Sequence, residues 1–199
     1  MINKYYSQCA QDEFVDKILN YQTTGFFIDI GANHPIENNN SYFFESVGWN
    51  GLCFDQHEIA KFSEIRKSKL ILGDARCHDY NKLFAEENVP SIIDYLSIDV
   101  DEYTLTVLEK IPFQSYRYKV ITIEHDWYRF GDSLRIEQRR ILNESGYYLL
   151  CADVDGNNNT FFEDWWINPE FVNIETVHYL QCEKKHYNDI VNKRSSIVC

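Results

Sequence analysis

Carboxylates stand at the carboxyl ends of four apolar segments of strand length. In an open parallel sheet, ligands bind outside these strand ends, where the direction of winding reverses. A single aspartate in such a place commonly caps the next helix, but four at one edge predict a shared binding cleft. The four residues are Asp29, Asp55, Asp74 and Asp99.

The turn after the first segment, DIGANHP, contains one glycine, Gly31. Glycine allows the backbone to approach a ligand or to adopt an unusual φ angle. The turn lacks the G-x-G-x-x-G pattern, whose further glycines bring the backbone up to a pyrophosphate. A cofactor without phosphate groups therefore fits this turn better than a nicotinamide dinucleotide.

Two of the aspartates suit the parts of a nucleoside. Asp55 ends the second segment, where a carboxylate accepts hydrogen bonds from both hydroxyls of a ribose. Asp74 could accept one from the exocyclic amine of a purine. A ribose, an adenine and no phosphate describe S-adenosylmethionine, whose positive charges suit the acidic rim around Asp29.

Methyl transfer to a hydroxyl needs a group that removes the hydroxyl proton as the new bond forms. A general base or a divalent metal ion can help, and the residues after the fourth and fifth segments offer both. The candidate catalytic residues are Asp99, Glu124 and His125, with Glu102 and Asp126 beside them, and the possible metal ligands are Asp99, Asp101 and Glu124.

These residues also have structural interpretations. Asp99 and Asp101 are two positions apart on a predicted strand and point to the same side, yet one could cap the helix that begins near Tyr103. His125 needs only a small pKa adjustment to act as a base, but a lone histidine beside an apolar run is often a core or rim residue. His34 is a weaker candidate because a proline follows it.

The sequence FFEDWW, at residues 161–166, combines aromatic and acidic side chains that could hold a sugar ring. Alternation along a strand requires one aromatic residue of each pair to face the core. We therefore favour a structural role for this cluster, with Trp165 or Trp166 as the exposed residue.

Strand-length apolar runs alternate with amphipathic segments along the chain. Such repeats require crossover connections, and uninterrupted apolar strands indicate a parallel sheet covered on both faces. The predicted fold class is a doubly wound, mostly parallel α/β sheet. The predicted strands are residues 25–30, 51–55, 69–74, 93–100 and 118–125, with helices around 38–47, 57–67, 78–87 and 103–110.

The pattern changes after the fifth strand. A helix from Ser133, its N-cap, to Gly146, its stop, precedes strands at 147–153 and 159–166. The short connection between these two strands predicts that they form an antiparallel pair at the sheet edge. A helix before the first strand is predicted by the spacing of Ala10, Phe14, Ile18 and Leu19.

After residue 180 the pattern fades. We expect one domain over residues 1–180 and a C-terminal tail over 181–199 that ends in SIVC. Six cysteines are scattered without a C-x-x-C pair, which favours free thiols in a reducing compartment over a metal or disulfide framework. Of these, Cys53 and Cys151 lie in apolar runs and should be core residues.

The composition limits the classes of partner. The chain has 199 residues, 44% of them hydrophobic, which suffices for a sizeable core. Its net charge of −12 would repel a phosphate backbone and argues against nucleic acid. It contains no apolar run of about 18 residues for a membrane span, and its N-terminus is too polar for a secretory signal. We expect a soluble, cytoplasmic protein.

Several blocks of the sequence resemble those of FkbM-type methyltransferases, in the same order and over residues 5–170. The resemblance implies a seven-stranded S-adenosylmethionine-dependent methyltransferase sheet whose last strand is antiparallel. It also implies methyl transfer to a hydroxyl of a sugar, a glycan or a polyketide-type product. The blocks are YSQCAQDE, GFFIDIGANHP, SYFFESVGWNGLCFD, DYLSIDVDEYTLTVLEKI, KVITIEH and FFEDWW.

The chain departs from the family pattern in two places. Gln11 stands where the opening S-Q-x-G-E-D has a glutamate, so a negative charge is lost. Asp101 and Glu102 follow Asp99 where the family reads S-I-D-x-E-G, and the missing glycine should stiffen this turn and shift its carboxylates. These departures concern the acceptor geometry rather than cofactor binding.

Two functions of other classes stay open. A nicotinamide-dependent oxidoreductase is disfavoured by the missing glycines and by the lack of a Tyr-x-x-x-Lys pair. A non-catalytic cofactor-binding module is supported only by the altered turn after Asp99. The candidate cofactor-binding residues are Gln8, Asp29, Gly31, Asn33, Asp55, Asp74, Ala75 and Asp99.

Overall fold

The computed structural model describes residues 4–194. Within this range, a single sheet contains eight strands. The strands are β1 Phe26–Ile30, β2 Asn50–Asp55, β3 Lys69–Leu72, β4 Ile92–Ile98, β5 Arg117–Glu124, β6 Tyr148–Asp155, β7 Phe161–Ile167 and β8 Cys182–Glu183.

Helices connect the strands and cover the sheet. Within residues 4–194, none of them is long and apolar enough to cross a membrane. Short 3-10 turns occupy Ala75–Cys77, Asp101–Tyr103 and His178–Leu180. The α-helices are α1 Gln11–Ile18, α2 Tyr42–Val47, α3 Phe62–Ile65, α4 Tyr80–Glu86, α5 Thr104–Leu108, α6 Trp127–Phe130, α7 Asp132–Glu144, α8 Ile174–Val177 and α9 Tyr187–Val191.

The strand order is β3-β2-β1-β4-β5-β7-β6-β8, and β1 to β5 are parallel. The predicted doubly wound, mostly parallel fold class is confirmed. Two details differ, because the sheet has eight strands rather than seven and the antiparallel β7 lies between β5 and β6 rather than at the edge. The edge is β8, which pairs parallel with β6.

The two faces of the sheet carry separate apolar clusters. Phe27 and Tyr95 belong to one cluster and Ile28 and Leu96 to the other, since neighbouring residues of a strand face opposite sides. This double burial explains the uninterrupted apolar strands of the sequence. Cys53 also lies in the core, fully buried, as does Cys151.

The helices α1 and α7 follow the sequence pattern with one change. On α1, Phe14 is fully buried and its ring lies 4.4 Å from that of Trp165. The last long helix, α7, begins at Asp132 with Gly131 as its N-cap, so Ser133 lies inside the helix rather than capping it. Gly146 follows the end of α7 with a φ of 86°.

Residues 182–191 are part of the fold, whereas the sequence pattern predicts a tail from residue 181. Strand β8 pairs with β6, and Ile190 and Val191 of α9 are buried against the core. This segment is too short and too polar to show a periodicity in the sequence. It forms a strand only because β6 offers a pairing partner. Cys199, at the end of the expected tail, lies outside the described residues.

Candidate functional site

A cavity of about 240 Å³ opens at the carboxyl ends of β4 and β5. This is beside the reversal of strand order, where β1 lies between β2 and β4, and ligands of open α/β sheets bind at such a place. Most of its wall is polar. The lining residues are Gln8, Cys9, Gln11, Asn38, Asn40, Asp99, Glu124, Asp126, Tyr128, Gly156, Asn157, Thr160, Phe162 and Tyr187.

Asp99 and Glu124 form a carboxyl pair in this wall. Asp99 directly follows β4 and is accessible from the cavity, while Glu124 ends β5 and is half-buried. Burial by the surrounding protein raises the pKa of both carboxyls, and the charge of Asp99 contributes to a value of about 11 for Glu124. Glu124 therefore keeps its proton at neutral pH, and a hydrogen bond joins its carboxyl to that of Asp99.

Two further carboxylates, Asp101 and Asp126, lie close to Glu124. An oxygen of each of Asp101, Glu124 and Asp126 lies within 4.8 Å of the others, an arrangement that a divalent cation could use. Asp126, rather than Asp99, completes this group. Arg129 Nη1 already lies 2.5 Å from Asp101 Oδ1 and 2.7 Å from Asp126 Oδ2, so one guanidinium pairs with two of the three carboxylates.

Strand alternation does not describe Asp99 and Asp101, because β4 ends at Ile98. Asp101 has a φ of 50° and turns toward Arg129. Neither aspartate caps the following 3-10 turn with its side chain. Their carboxylates are available to the cleft and to Arg129.

Glu163 lies behind the cavity in full burial. Its Oε2 accepts hydrogen bonds from Trp165 Nε1 at 2.7 Å and from Gln11 Nε2 at 3.1 Å. Burial raises its pKa to about 8, and the charge of Asp99 adds to this effect. Glu163 thus ties the start of α1 to β7, and Gln11, a departure from the family pattern, is its partner.

The first turn packs tightly against the fourth strand end. Gly31 has a φ of 97°, and a Cβ on this residue would come within 1.8 Å of the carbonyl oxygen of Asp99. The N–H groups of Gly31 and Ala32 both donate to the carbonyl of Phe54 at 3.0 Å, and Asn33 N–H donates to Asp55 Oδ2 at 2.9 Å. These three N–H groups are therefore already used within the protein.

Asp55 and Asp74 lie at neighbouring strand ends, outside the cavity wall. Asp55 is half-buried and accepts hydrogen bonds from the backbone of Asn33 and His57. Asp74 accepts three hydrogen bonds from the side chain of Arg76, and these lower the pKa of Asp74 to about 2. Asp74 also accepts one from the backbone of Arg76, so its capping role is realised. Ala75 follows it, half-buried.

Asp29 does not contribute to the rim. It is the penultimate residue of β1 and is buried beneath the sheet edge, where it accepts a hydrogen bond of 2.6 Å from Ser41 Oγ. Burial raises its pKa to about 6, against the opposing effects of Ser41 and Arg66. The strand pattern predicts four aspartates in register, but Asp29 pairs with Cys53 and Ser97 and therefore lies two residues deeper in the sheet than Asp55 and Asp99.

His125 is also absent from the cavity wall. Its ring is buried, with Nε2 3.5 Å from Asp164 Oδ1 and 3.6 Å from Asp153 Oδ1. Arg139 of α7 donates to both aspartates at 2.7 to 2.8 Å. Burial raises the pKa of Asp164, but hydrogen bonds from Arg139 and His125 outweigh it and lower the value to about 2. The structure gives His125 a place in a buried charge network.

The aromatic cluster is mainly structural. Trp165 and Trp166 are both fully buried, on opposite faces of the sheet, so neither is the exposed partner that alternation predicts. Phe162 reaches the cavity instead. His34 stabilises the bend before α2, since its Nδ1 accepts hydrogen bonds from two backbone N–H groups.

Several lining residues have no signal in the sequence. The amides of Asn38, Asn40 and Asn157 resemble ordinary turn residues, and Tyr128 and Tyr187 belong to short helices. Of the predicted residues, Gln8, Asp99, Glu124 and Asp126 are brought together at the cavity. The three asparagines belong to the NNN runs at residues 38–40 and 157–159, which are the one sequence feature that could have indicated them.

Two solved structures illustrate what the chain is similar to. A putative O-methyltransferase from Klebsiella pneumoniae aligns with a TM-score of 0.49 and 13% identity, over 79% of this chain and 80% of that one. Fibrillarin of Aeropyrum pernix, in complex with natively bound S-adenosyl-L-methionine, aligns with a TM-score of 0.47 and 11% identity, over 78% and 75%. No curated protein matches the chain significantly.

A family model matches part of the sequence. The match covers residues 74–149 and is described as the methyltransferase FkbM domain. This segment runs from Asp74 through β4 and β5 to the start of β6, and it includes the Asp99–Glu124 pair. Residues 74–149 therefore match the methyltransferase FkbM domain, and over this segment the resemblance seen in the sequence is confirmed.

Proposed function

We propose that the protein is an S-adenosylmethionine-dependent O-methyltransferase that acts on a hydroxyl of a sugar or glycan. The methyltransferase part rests on the family match. The oxygen specificity rests on the Asp99–Glu124 pair, a proton-accepting group in the wall of a polar cavity.

The residues of the cleft fit this cofactor. Gly31 lets the first turn pack against the backbone of Asp99, and Asp55 offers carboxylate lone pairs beyond its two backbone contacts for ribose hydroxyls. A pyrophosphate would need free N–H groups in the first turn, yet Gly31, Ala32 and Asn33 use theirs internally. This favours S-adenosylmethionine over a nicotinamide cofactor.

The bound cofactor supplies a methyl group on a sulfonium, which is strongly electrophilic. The protein must hold the acceptor hydroxyl in line and take its proton. We assign Asp99, the more exposed member of the pair, as the proton acceptor, and Glu124, which keeps its proton, as the donor of the hydrogen bond to Asp99. We assign no step to a metal ion, because Arg129 already compensates Asp101 and Asp126.

The acceptor class follows from the cavity wall. Amide and hydroxyl groups of Asn40, Asn157 and Thr160 can exchange hydrogen bonds with a polyol, and Phe162 and Tyr187 offer rings for the C–H face of a sugar. A polyketide-type or other small-molecule hydroxyl is the alternative acceptor. A reducing, cytoplasmic environment agrees with the free cysteines at Cys53 and Cys151.

The test has two stages. Calorimetry should detect binding of S-adenosylhomocysteine but not of NAD; the reverse result would indicate an oxidoreductase. Labelled S-adenosylmethionine is then incubated with saccharides and polyketide-type alcohols, with and without a chelator, and the products are analysed by mass spectrometry. Methylated saccharide supports the proposal, label found only on protein or RNA overturns the acceptor class, and cofactor binding without any transfer indicates a non-catalytic module.

A further inference from the structure

Two free cysteines face each other at the edge of the sheet. Cys151 of β6 and Cys182 of β8 are direct partners in a parallel pair. Adjacent strands lie about 4.8 Å apart, and a disulfide needs Cα atoms separated by about 4.4 to 6.8 Å. Paired positions also point to the same face of the sheet, so the backbone already meets the main geometric requirement.

The two thiols are in contact and differ in character. Cys151 is fully buried, whereas Cys182 is half-buried and reachable from solvent. The thiol of Cys151 donates a hydrogen bond to the carbonyl of Leu180 at 3.4 Å, and the side chain of Cys151, together with the nearby Lys193 and Lys185, lowers the pKa of Cys182. An accessible thiol that readily ionises beside a second thiol is the arrangement of an attacking and a resolving cysteine.

We propose that Cys151 and Cys182 are an oxidation site that forms a disulfide in the folded protein. The oxidant is a peroxide. The Cys182 thiolate attacks a peroxide oxygen, the O–O bond breaks, and a sulfenic acid forms with release of water or an alcohol. The sulfur of Cys151 then attacks the Cys182 sulfur, the S–O bond breaks, and water leaves with the thiol proton. Two thiols are oxidised by two electrons and one peroxide is reduced.

The disulfide would join the edge strand β8 to β6. Strand β8 is only two residues long and leads directly into α9, whose Tyr187 lines the cavity. Oxidation would thus tie the segment that bears Tyr187 to the sheet. The inference is independent of the proposed methyl transfer.

The test uses the full chain with Cys77→Ser and Cys199→Ser, which removes one exposed cysteine and one outside the described residues. After treatment of the native protein with hydrogen peroxide, alkylation in denaturant and peptide mass spectrometry should find Cys151 and Cys182 linked. Reduction with dithiothreitol should restore both thiols. Adding Cys182→Ser should leave Cys151 fully alkylated.

Three results would overturn the proposal. One is oxidation that stops at a sulfenic or sulfinic acid on Cys182 while Cys151 stays reduced. Another is a link that joins either cysteine to Cys9 or Cys53 instead. The last is a disulfide that forms only after denaturation, since it would not reflect the folded arrangement.

Discussion

The Cα of Gly31 lies against the carbonyl of Asp99, so that a Cβ at position 31 would come within 1.8 Å of the carbonyl oxygen. This contact joins the first and fourth strand ends, which form the cleft. The single glycine of DIGANHP is therefore required by the protein backbone itself, before any ligand is considered.

We expect Gly31→Ala to destabilise the protein and abolish S-adenosylhomocysteine binding. Gly146→Ala is the matched control, because Gly146 also has a positive φ but its nearest neighbour would be 3.7 Å away. Left-handed backbone alone costs about 1–2 kcal/mol, so chemical denaturation should show a larger loss for Gly31→Ala. Equal losses of unfolding free energy in the two variants would show that the contact between Gly31 and the carbonyl of Asp99 has no specific role in stability.

Replacement of the proton acceptor should slow the chemical step. We expect Asp99→Asn to lower kcat by about 10²–10⁴-fold, the usual range for loss of a general base. Glu124→Gln should be milder, since a glutamine can still donate a hydrogen bond to Asp99. Asp101→Asn, exposed and paired with Arg129, serves as the control in the same steady-state assay. A larger loss for Glu124→Gln than for Asp99→Asn would reverse the two roles.

Removal of the charge at Asp55 should weaken cofactor binding. A hydrogen bond to a charged group contributes about 1.5–3 kcal/mol, so Asp55→Asn should raise the Kd for S-adenosylhomocysteine by roughly 10- to 150-fold. Asp79→Asn is the control, because Asp79 caps α4 by accepting from the N–H of Lys82 and asparagine caps equally well. Unchanged affinity in Asp55→Asn would place the ribose elsewhere.

Glu163→Gln should change the pH dependence of stability. The pKa of Glu163 rises from 4.5 to about 8 on folding, so the folded state binds more protons than the unfolded state in this range and stability falls as pH rises. The variant should lose this contribution, which amounts to at most about 1.4 kcal/mol per pH unit. Urea unfolding at several pH values between 5 and 8 measures it, and identical slopes would show that Glu163 is ionised throughout.

His125→Gln should destabilise the fold and leave kcat within a few fold. The ring lies in the buried network of Asp153, Asp164 and Arg139 rather than in the cavity wall, and leaving buried polar groups without a hydrogen-bond partner typically costs about 1–3 kcal/mol. Thermal unfolding and turnover of the same preparation separate the two effects. A hundredfold loss of kcat in a well-folded variant would return His125 to the mechanism.

The sequence by itself determined the class of the sheet and the place of the cleft. Apolar strands, crossover helices and acids at strand ends follow from local patterns, and so does Gly31 in the first turn. Asp99 and Glu124 could be proposed because each is adjacent to the end of a parallel strand, and such ends meet at one edge.

Only the tertiary structure decided which face each polar side chain occupies. Asp29 is buried beside Ser41 because it lies two residues deeper in the sheet than Asp55. A shift of one residue along a strand turns a side chain to the other face, which is why His125, next to Glu124, lies among aspartates of other strands. The amides of Asn40 and Asn157 come from separate turns, so no spacing in the chain relates them. The pairing of Cys182 with Cys151 likewise depends on an edge strand of two residues, which has no pattern of its own and forms only where β6 is already in place.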